Sequence, residues 1–168
     1  MKHLLIAISL LLTSASAGLS AHASEMPQMS NQETAIDGSH YTDLFVSGYV
    51  FKVPKGVPAD VSKNEVVMKN SDGTFGLSIR MKKNDKASAN GAYDICKQAA
   101  KELHIEGATV SKVRINGLEG ATVEGQIEGM NVAVEVLNLG GRYLQATSIY
   151  TDAHAEEAKT ILTSVRKE

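Results

Sequence analysis

The sequence predicts an α+β protein: a mainly antiparallel β-sheet flanked by two helices. Three observations carry that expectation. Segments of alternating apolar and polar residues are joined at Asp72-Gly73, Asn116-Gly117 and Gly140-Gly141, and loops this short force antiparallel neighbours. Two other stretches, Ala92 to Leu103 and Ala155 to Val165, carry a helical period instead. The chain has 168 residues, 43% of them apolar, which suits one domain and is too little for two comfortable ones.

The first segment reads as an address. Lys2 and His3 precede an apolar run from Leu4 to Leu12, broken only by Ser9, and small residues follow from Ser14 to Gly18. This is the layout of a secretory signal peptide. The run is far shorter than the roughly 20 residues of a spanning helix, so no stable membrane insertion is expected after signal removal. Cleavage sites with small-x-small spacing stand at Ala15-Ser16-Ala17 and Ala21-His22-Ala23, and the polar stretch from Ser24 favours the second. The predicted organisation is a signal peptide over 1–23, a flexible N-terminal arm over 24–42, and a single α+β domain over 43–168. The expected location is periplasmic or secreted. With no Cys near the cleavage zone, a lipoprotein anchor is excluded.

Within the domain, Phe45, Tyr49, Phe51 and Val53 share one parity up to Pro54 and predict a strand. Residues 54–63 read as a loop and 65–68 as a short strand. Phe75, Leu77, Ile79 and Met81 alternate with Gly76, Ser78, Arg80 and Lys82, the clearest half-buried strand. Asp85, Ser88 and Asn90 are cap candidates for the first helix, whose apolar face is Ala92, Ile95, Cys96, Ala99 and Leu103, with Gly107 closing the region. Four strands follow between 109 and 150, with Glu128-Gly129 as a further turn. In the last helix Asp152 is the predicted N-cap. Its stripe is Ala155, Ala158, Ile161, Leu162 and Val165, and Arg166 and Lys167 sit in its last turn.

This order resembles the PsbP/Mog1-like fold, a group that includes exported proteins of the DcrB and LpqN type. The resemblance is carried by the entry strand and Pro-x-Gly loop, Tyr49-Val50-Phe51-Lys52-Val53-Pro54-Lys55-Gly56. A second strand pair, a central helix, a Gly-punctuated meander and a C-terminal helix follow, over about residues 43–167. The resemblance implies a sandwich and a non-catalytic role as accessory subunit, adaptor or envelope protein. It implies no catalytic residue.

The residues agree with a non-enzymatic reading. A net charge of -2 gives no field for nucleic acid. One Cys excludes an intramolecular disulfide and a multi-Cys metal site. Cys96 and His104 lie eight residues apart on one helix, about 12 Å, too far for a thiolate and its base; Cys96 reads as a buried structural thiol. His40, His104 and His154 show no metal-ligand spacing, and His154 reads as solvent-exposed. Met26 and Met29 with His40 are too few for a soft-metal site. Gly117, Gly120, Gly125 and Gly129 precede no helix, and read as turns, a bulge or close packing rather than a phosphate loop. The carboxylate pairs Asp60/Glu65 and Glu119/Glu124 read as surface charge. No cofactor is expected.

The candidate site is a polar sheet face of Ser78, Arg80, Lys112, Arg114, Glu124 and Glu135, rimmed by Tyr41, Tyr143 and Tyr150, docking an envelope protein. The alternative is a small-ligand carrier with its ligand between the sheet and loop 54–63. A hydrolase with an unrecognised site is the third class.

Overall fold

A computed structural model describes residues 40–168 apart from residue 63 and residues 84–88. The predicted signal peptide, nearly all of the arm, Met26, Met29, Asp85 and Ser88 lie outside the described residues.

The entry region is a hairpin, where one strand was expected. β1 (Tyr41–Val46) and β2 (Tyr49–Pro54) pair antiparallel. Ser47 and Gly48 between them take φ of 51° and 85°, so they form a turn and not a strand step. β1 begins at Tyr41, two residues ahead of the expected domain start. The expected loop 54–63 contains a further strand, β3 (Ala59–Ser62), exposed along its whole length and paired with β4 (Glu65–Lys69). β5 (Phe75–Lys83) and α1 (Ala89–Glu102) follow. Next come the meander strands β6 (Glu106–Ile115), β7 (Leu118–Ile127), β8 (Met130–Asn138) and β9 (Arg142–Tyr150). A 3₁₀ turn (Asp152–His154) leads into α2 (Ala155–Ser164), and β10 (Arg166–Lys167) closes the chain. The predicted turns of the meander hold: Asn116-Gly117, Glu128-Gly129 and Gly140-Gly141 all have both residues at positive φ.

Both helix ends depart from expectation. α1 is closed by His104 in the left-handed conformation (φ 52°), not by Gly107. The Ile105 N–H donates to Ala100 O (2.9 Å) and the His104 N–H to Lys101 O (3.3 Å), a Schellman pattern that buries Ile105 behind it. Asp152 caps neither the turn nor α2. Its carboxylate accepts a hydrogen bond from Asn131 Nδ2 at 2.7 Å, tying the turn to β8. α2 stops at Ser164, and Val165 is extended (ψ 128°) and buried. Arg166 and Lys167 therefore leave the helix and pair with β2. Asp43 anchors them: its carboxylate meets Arg166 at 2.9 Å and Lys52 at 3.1 Å, joining β10, β1 and β2.

All strand pairs are antiparallel, in a three-stranded sheet β1-β2-β10 and a seven-stranded sheet β3-β4-β5-β9-β8-β7-β6. The helices lie on opposite faces of the large sheet. α1 covers β6, β7 and β8 with Ala92, Cys96 and Ala99. On the other face, the small sheet and α2 enclose the main core. Phe51 and Val53 of β2, and Ile161 and Leu162 of α2, meet Val66, Leu77, Ile79 and Leu144 there. β8, between them, is buried on both faces from Val132 to Leu137. The glycines of β7 mark close packing, as expected. A Cβ on Gly120 would stand 2.0 Å from the Val136 carbonyl oxygen. One on Gly125, beside the bulge between Glu106 and Thr109, would stand 2.5 Å from Glu106 O.

Gly120→Ala is expected to cost about 2 kcal/mol, because its obstacle is backbone and not a movable side chain; urea unfolding reads this, and an unchanged midpoint would show that β7 and β8 have room to part. Asp43 sets an acid limit. Burial raises its carboxyl pKa, but Lys52 and Arg166 outweigh burial and hold it below the ordinary carboxylate value. Its stabilisation is therefore present above about pH 4 and lost as pH falls through the lowered folded-state value. Asp43→Asn is expected to lose about 1–2 kcal/mol at pH 7 and to flatten the acid side of the stability profile.

Candidate functional site

The six residues expected to share one polar face divide between both faces. The register makes a row of Arg80, Gln145, Val136, Ala121 and Lys112 on the face under α1. Ser78 and Arg114 lie on that face too. Glu124 opposes Ala133, and Glu135 opposes Ala146 and Thr122, on the face toward α2. The division follows from strand parity: a residue two strands away is on the same face only if the register between them preserves it.

The basic residues of the group are engaged locally. Arg80 Nε donates to Glu65 Oε1 at 2.6 Å, and Ser78 Oγ approaches the same oxygen at 3.5 Å. Lys112 Nζ reaches Asn90 Oδ1 on α1 at 3.4 Å. Arg114 pairs with Glu119 at 3.4 Å across the β6–β7 turn. Arg80 and Lys112 end one row, four strand spacings or roughly 19 Å apart, with α1 over the strands between. The six residues thus do not share one face of the sheet. Of the three tyrosines, Tyr150 alone lines the groove described next.

Glu124 and Glu135 belong to a groove of about 490 Å³ between the β6–β8 half of the sheet and α2. Its walls are Val113 and Ile115 of β6 and Ala155, Glu156, Lys159 and Leu162 of α2, and Tyr150 stands at one end. The floor is low because the neighbours of Glu135 are small: Ala133 on its own strand, Ala146 on β9 and Thr122 on β7. Loop 54–63, where a ligand was expected to sit, does not line it. A shallower depression of about 580 Å³ continues past Tyr150 and Glu124 to Glu106, Gln126 and Asn131.

Glu135 is the unusual group of the floor. It is 4% exposed, and its Oε1 makes no hydrogen bond. Burial pushes its carboxyl pKa up to about 8. The charged and titratable groups around it are Glu124 from β7, Arg114 from β6, Tyr150 from β9, and Glu156 and Lys159 from α2, with Cys96 of α1 behind the sheet. Burial, and then the carboxylates of Glu124 and Asp152, raise the Tyr150 phenol.

The nucleophile candidates are quiescent. Cys96 is buried, as expected, and donates to Val134 O. Burial and then Glu135 push its thiol up to about 12. His40 and His104 are exposed. His154 is not simply solvated: its Nδ1 meets Glu157 at 2.5 Å and its Nε2 meets Thr74 Oγ1 at 3.1 Å. This has the outline of a catalytic chain, but the single proton of the Thr74 hydroxyl is committed to Asp72 (2.7 Å) and not to His154, and its oxygen accepts from Asn70 Nδ2 (2.8 Å). The i,i+3 spacing of His154 and Glu157 is the sequence signal for this pairing. The α2 side of the groove had none, since its wall depends on where the helix docks. Among the described residues no cluster of three or more His, Cys, Asp or Glu is placed to hold a metal ion.

The sequence matches no protein-family model, and no curated protein is similar to it. Solved structures do share the fold. The solution structure of PsbP (CyanoP) from Synechocystis sp. PCC 6803 is similar over 80% of this chain and 98% of its own, with TM-score 0.56 and 14% identity. A crystal structure from Bacteroides thetaiotaomicron is similar over 74% of this chain and 47% of its own, with TM-score 0.50 and 16% identity. The chain thus has the α+β, PsbP/Mog1-like fold that its sequence resembles.

The folded state holds a proton on Glu135 that an unfolded chain, with the ordinary value of 4.5, has released. Stability therefore falls as pH rises from about 4.5 to 8, on the order of a few kcal/mol. Glu135→Gln is expected to remove that fall; urea midpoints at pH 5, 6.5 and 8 for both proteins measure it, and parallel profiles would contradict it.

Proposed function

We propose that this is an exported, non-enzymatic binding module of the bacterial envelope, with the groove under α2 as its binding site. One observation carries the reading: a 4% exposed carboxyl with an unpartnered oxygen in the floor of a groove of ligand size. Buried polar atoms ordinarily have partners. A buried acceptor facing a groove is satisfied at least cost by a donor arriving from outside. The Thr74 hydroxyl, whose proton goes to Asp72, and the buried Cys96 thiol, which burial pushes up, support a role without covalent chemistry. Export rests on the signal-peptide layout of the first 23 residues. Among the described residues, no helix is long and apolar enough to cross a membrane.

A second reading, an accessory subunit docking an envelope protein, draws on the edge of the large sheet. β3 is outermost and exposed, and carries Val61 at 37% exposure. Such an edge accepts an added strand.

Native mass spectrometry of the mature protein, released gently from its own cell envelope, is the test. A small adduct that leaves on denaturation is the expected result. A protein-sized adduct favours the accessory role, and a bare chain in Glu135→Gln and wild type alike counts against the groove.

A further inference from the structure

We propose that the groove under α2 selects a monocationic amphiphile, an ammonium or guanidinium on an apolar body, with the Glu135 carboxylate as its counter-ion. This rests on the binding-module reading and adds the class of ligand.

The argument has three parts. First, Glu135 lines the groove, and its buried Oε1 is an acceptor with no donor among the described residues. A neutral donor would satisfy it, but a cation also restores the charged form that burial disfavours. Second, the groove is acidic. Glu124, Glu135 and Glu156 line it against Lys159 and Arg114, and Arg114 is already paired with Glu119. The adjoining depression adds Glu106 and no basic residue. Tyr150, between the two, is raised first by burial and then by the carboxylates of Glu124 and Asp152. An anionic ligand would meet the carboxylates of Glu124 and Glu156, beside the Glu135 carboxyl, to reach one lysine. Third, Val113, Ile115, Ala133 and Leu162 give the walls an apolar surface beside the charge. That combination suits a single charge on a hydrocarbon body better than a hydrophilic polycation.

Proton balance follows. Below its folded-state value Glu135 carries a proton, which passes to solvent as the cation enters, while the ammonium keeps its own protons and donates one to the Glu135 carboxylate. Binding is therefore coupled to release of one proton, and affinity should rise about tenfold per pH unit between pH 6 and 7.

The experiment compares octylamine, octanol and octanoate by calorimetry on the mature protein. Octylamine should bind at least tenfold more tightly than octanol, and octanoate should bind worst. The Glu135 carboxyl ¹³C resonance should move to its ionised position on adding octylamine at pH 6. Glu135→Gln should lose at least tenfold for octylamine, lose the pH dependence and keep its affinity for octanol, which shows that the variant is folded. Ala155→Phe, which narrows the groove without changing Glu135, should weaken both. Equal binding of octylamine and octanol, or a preference for octanoate, would overturn the cationic ligand and leave the groove standing. Binding by none of the three would overturn both. Octylamine binding untouched by either variant would place it elsewhere and overturn the proposal.

Discussion

A sheet of seven strands has two broad faces, and this chain has limited means to cover them. On one face α1 spans β6 to β8 and closes a compact apolar layer with Cys96 and Ala99. On the other face the small sheet and α2 concentrate over β4, β5 and β9, where the large side chains Phe75, Leu77, Ile79 and Leu144 stand. The remaining strip, over β8, β7 and β6, lies under the flank of α2 alone. The groove is the consequence of this mismatch between the area of the sheet and the area of its cover. Its depth follows from Ala133, Ala146 and Thr122, which hold the floor down where bulkier residues would have filled it.

Within that strip, a carboxyl on a central strand works against stability. β8 is buried on both faces, so Glu135 has been withdrawn from water without a donor for Oε1 among the described residues. Burying an ionised carboxylate in such a place costs more than the fold can readily bear, and the group retains its proton instead. The same position filled by Val or Leu would add apolar burial and remove that cost. Asp43 makes a useful contrast. It too is largely removed from solvent, but two cations meet it, and it ties the last strand to the first hairpin. A paired buried carboxylate is explained by architecture. An unpaired one in the floor of a groove has no such partner among the described residues.

The fold was largely legible, because turn chemistry and alternation are local. Asn116-Gly117, Glu128-Gly129 and Gly140-Gly141 specify their hairpins through positive φ, and the meander follows. Ser47-Gly48 uses the same chemistry, but the apolar parity of Phe45, Tyr49 and Phe51 runs across it and imitates one strand. The end of α1 was misplaced because His104 takes the left-handed position that Gly107 seemed to offer. β10 was hidden by Arg166 and Lys167, which suit a helix C-terminus until Asp43 is known to be waiting beside β2. The site was less legible for a deeper reason. Period-2 alternation assigns faces within one strand, but it cannot compare faces between strands without the register. Glu135 was grouped with Arg80 and Lys112, which lie on the opposite side of the sheet.

The register also decides how far the shared fold reaches toward function. At 14% identity to PsbP of Synechocystis, the common element order preserves the sheet and its covering layers but says little about which side chains occupy them. The groove depends on such occupants: one acid on β8, small neighbours on β7 and β9, and the pitch of α2. The pitch is held from outside the groove. Ser164 Oγ accepts from the Lys52 N–H at 2.8 Å, and Asn116 Nδ2 donates to the carbonyls of Thr163 and Val165 at 3.2 and 2.8 Å. These contacts fasten the C-terminal end of α2 to β2 and to the β6–β7 turn. At its other end, His154 and Glu157 lock the helix start to Thr74 on the β4–β5 loop. These contacts hold α2 at both ends, and the groove lies along the flank of the helix between them.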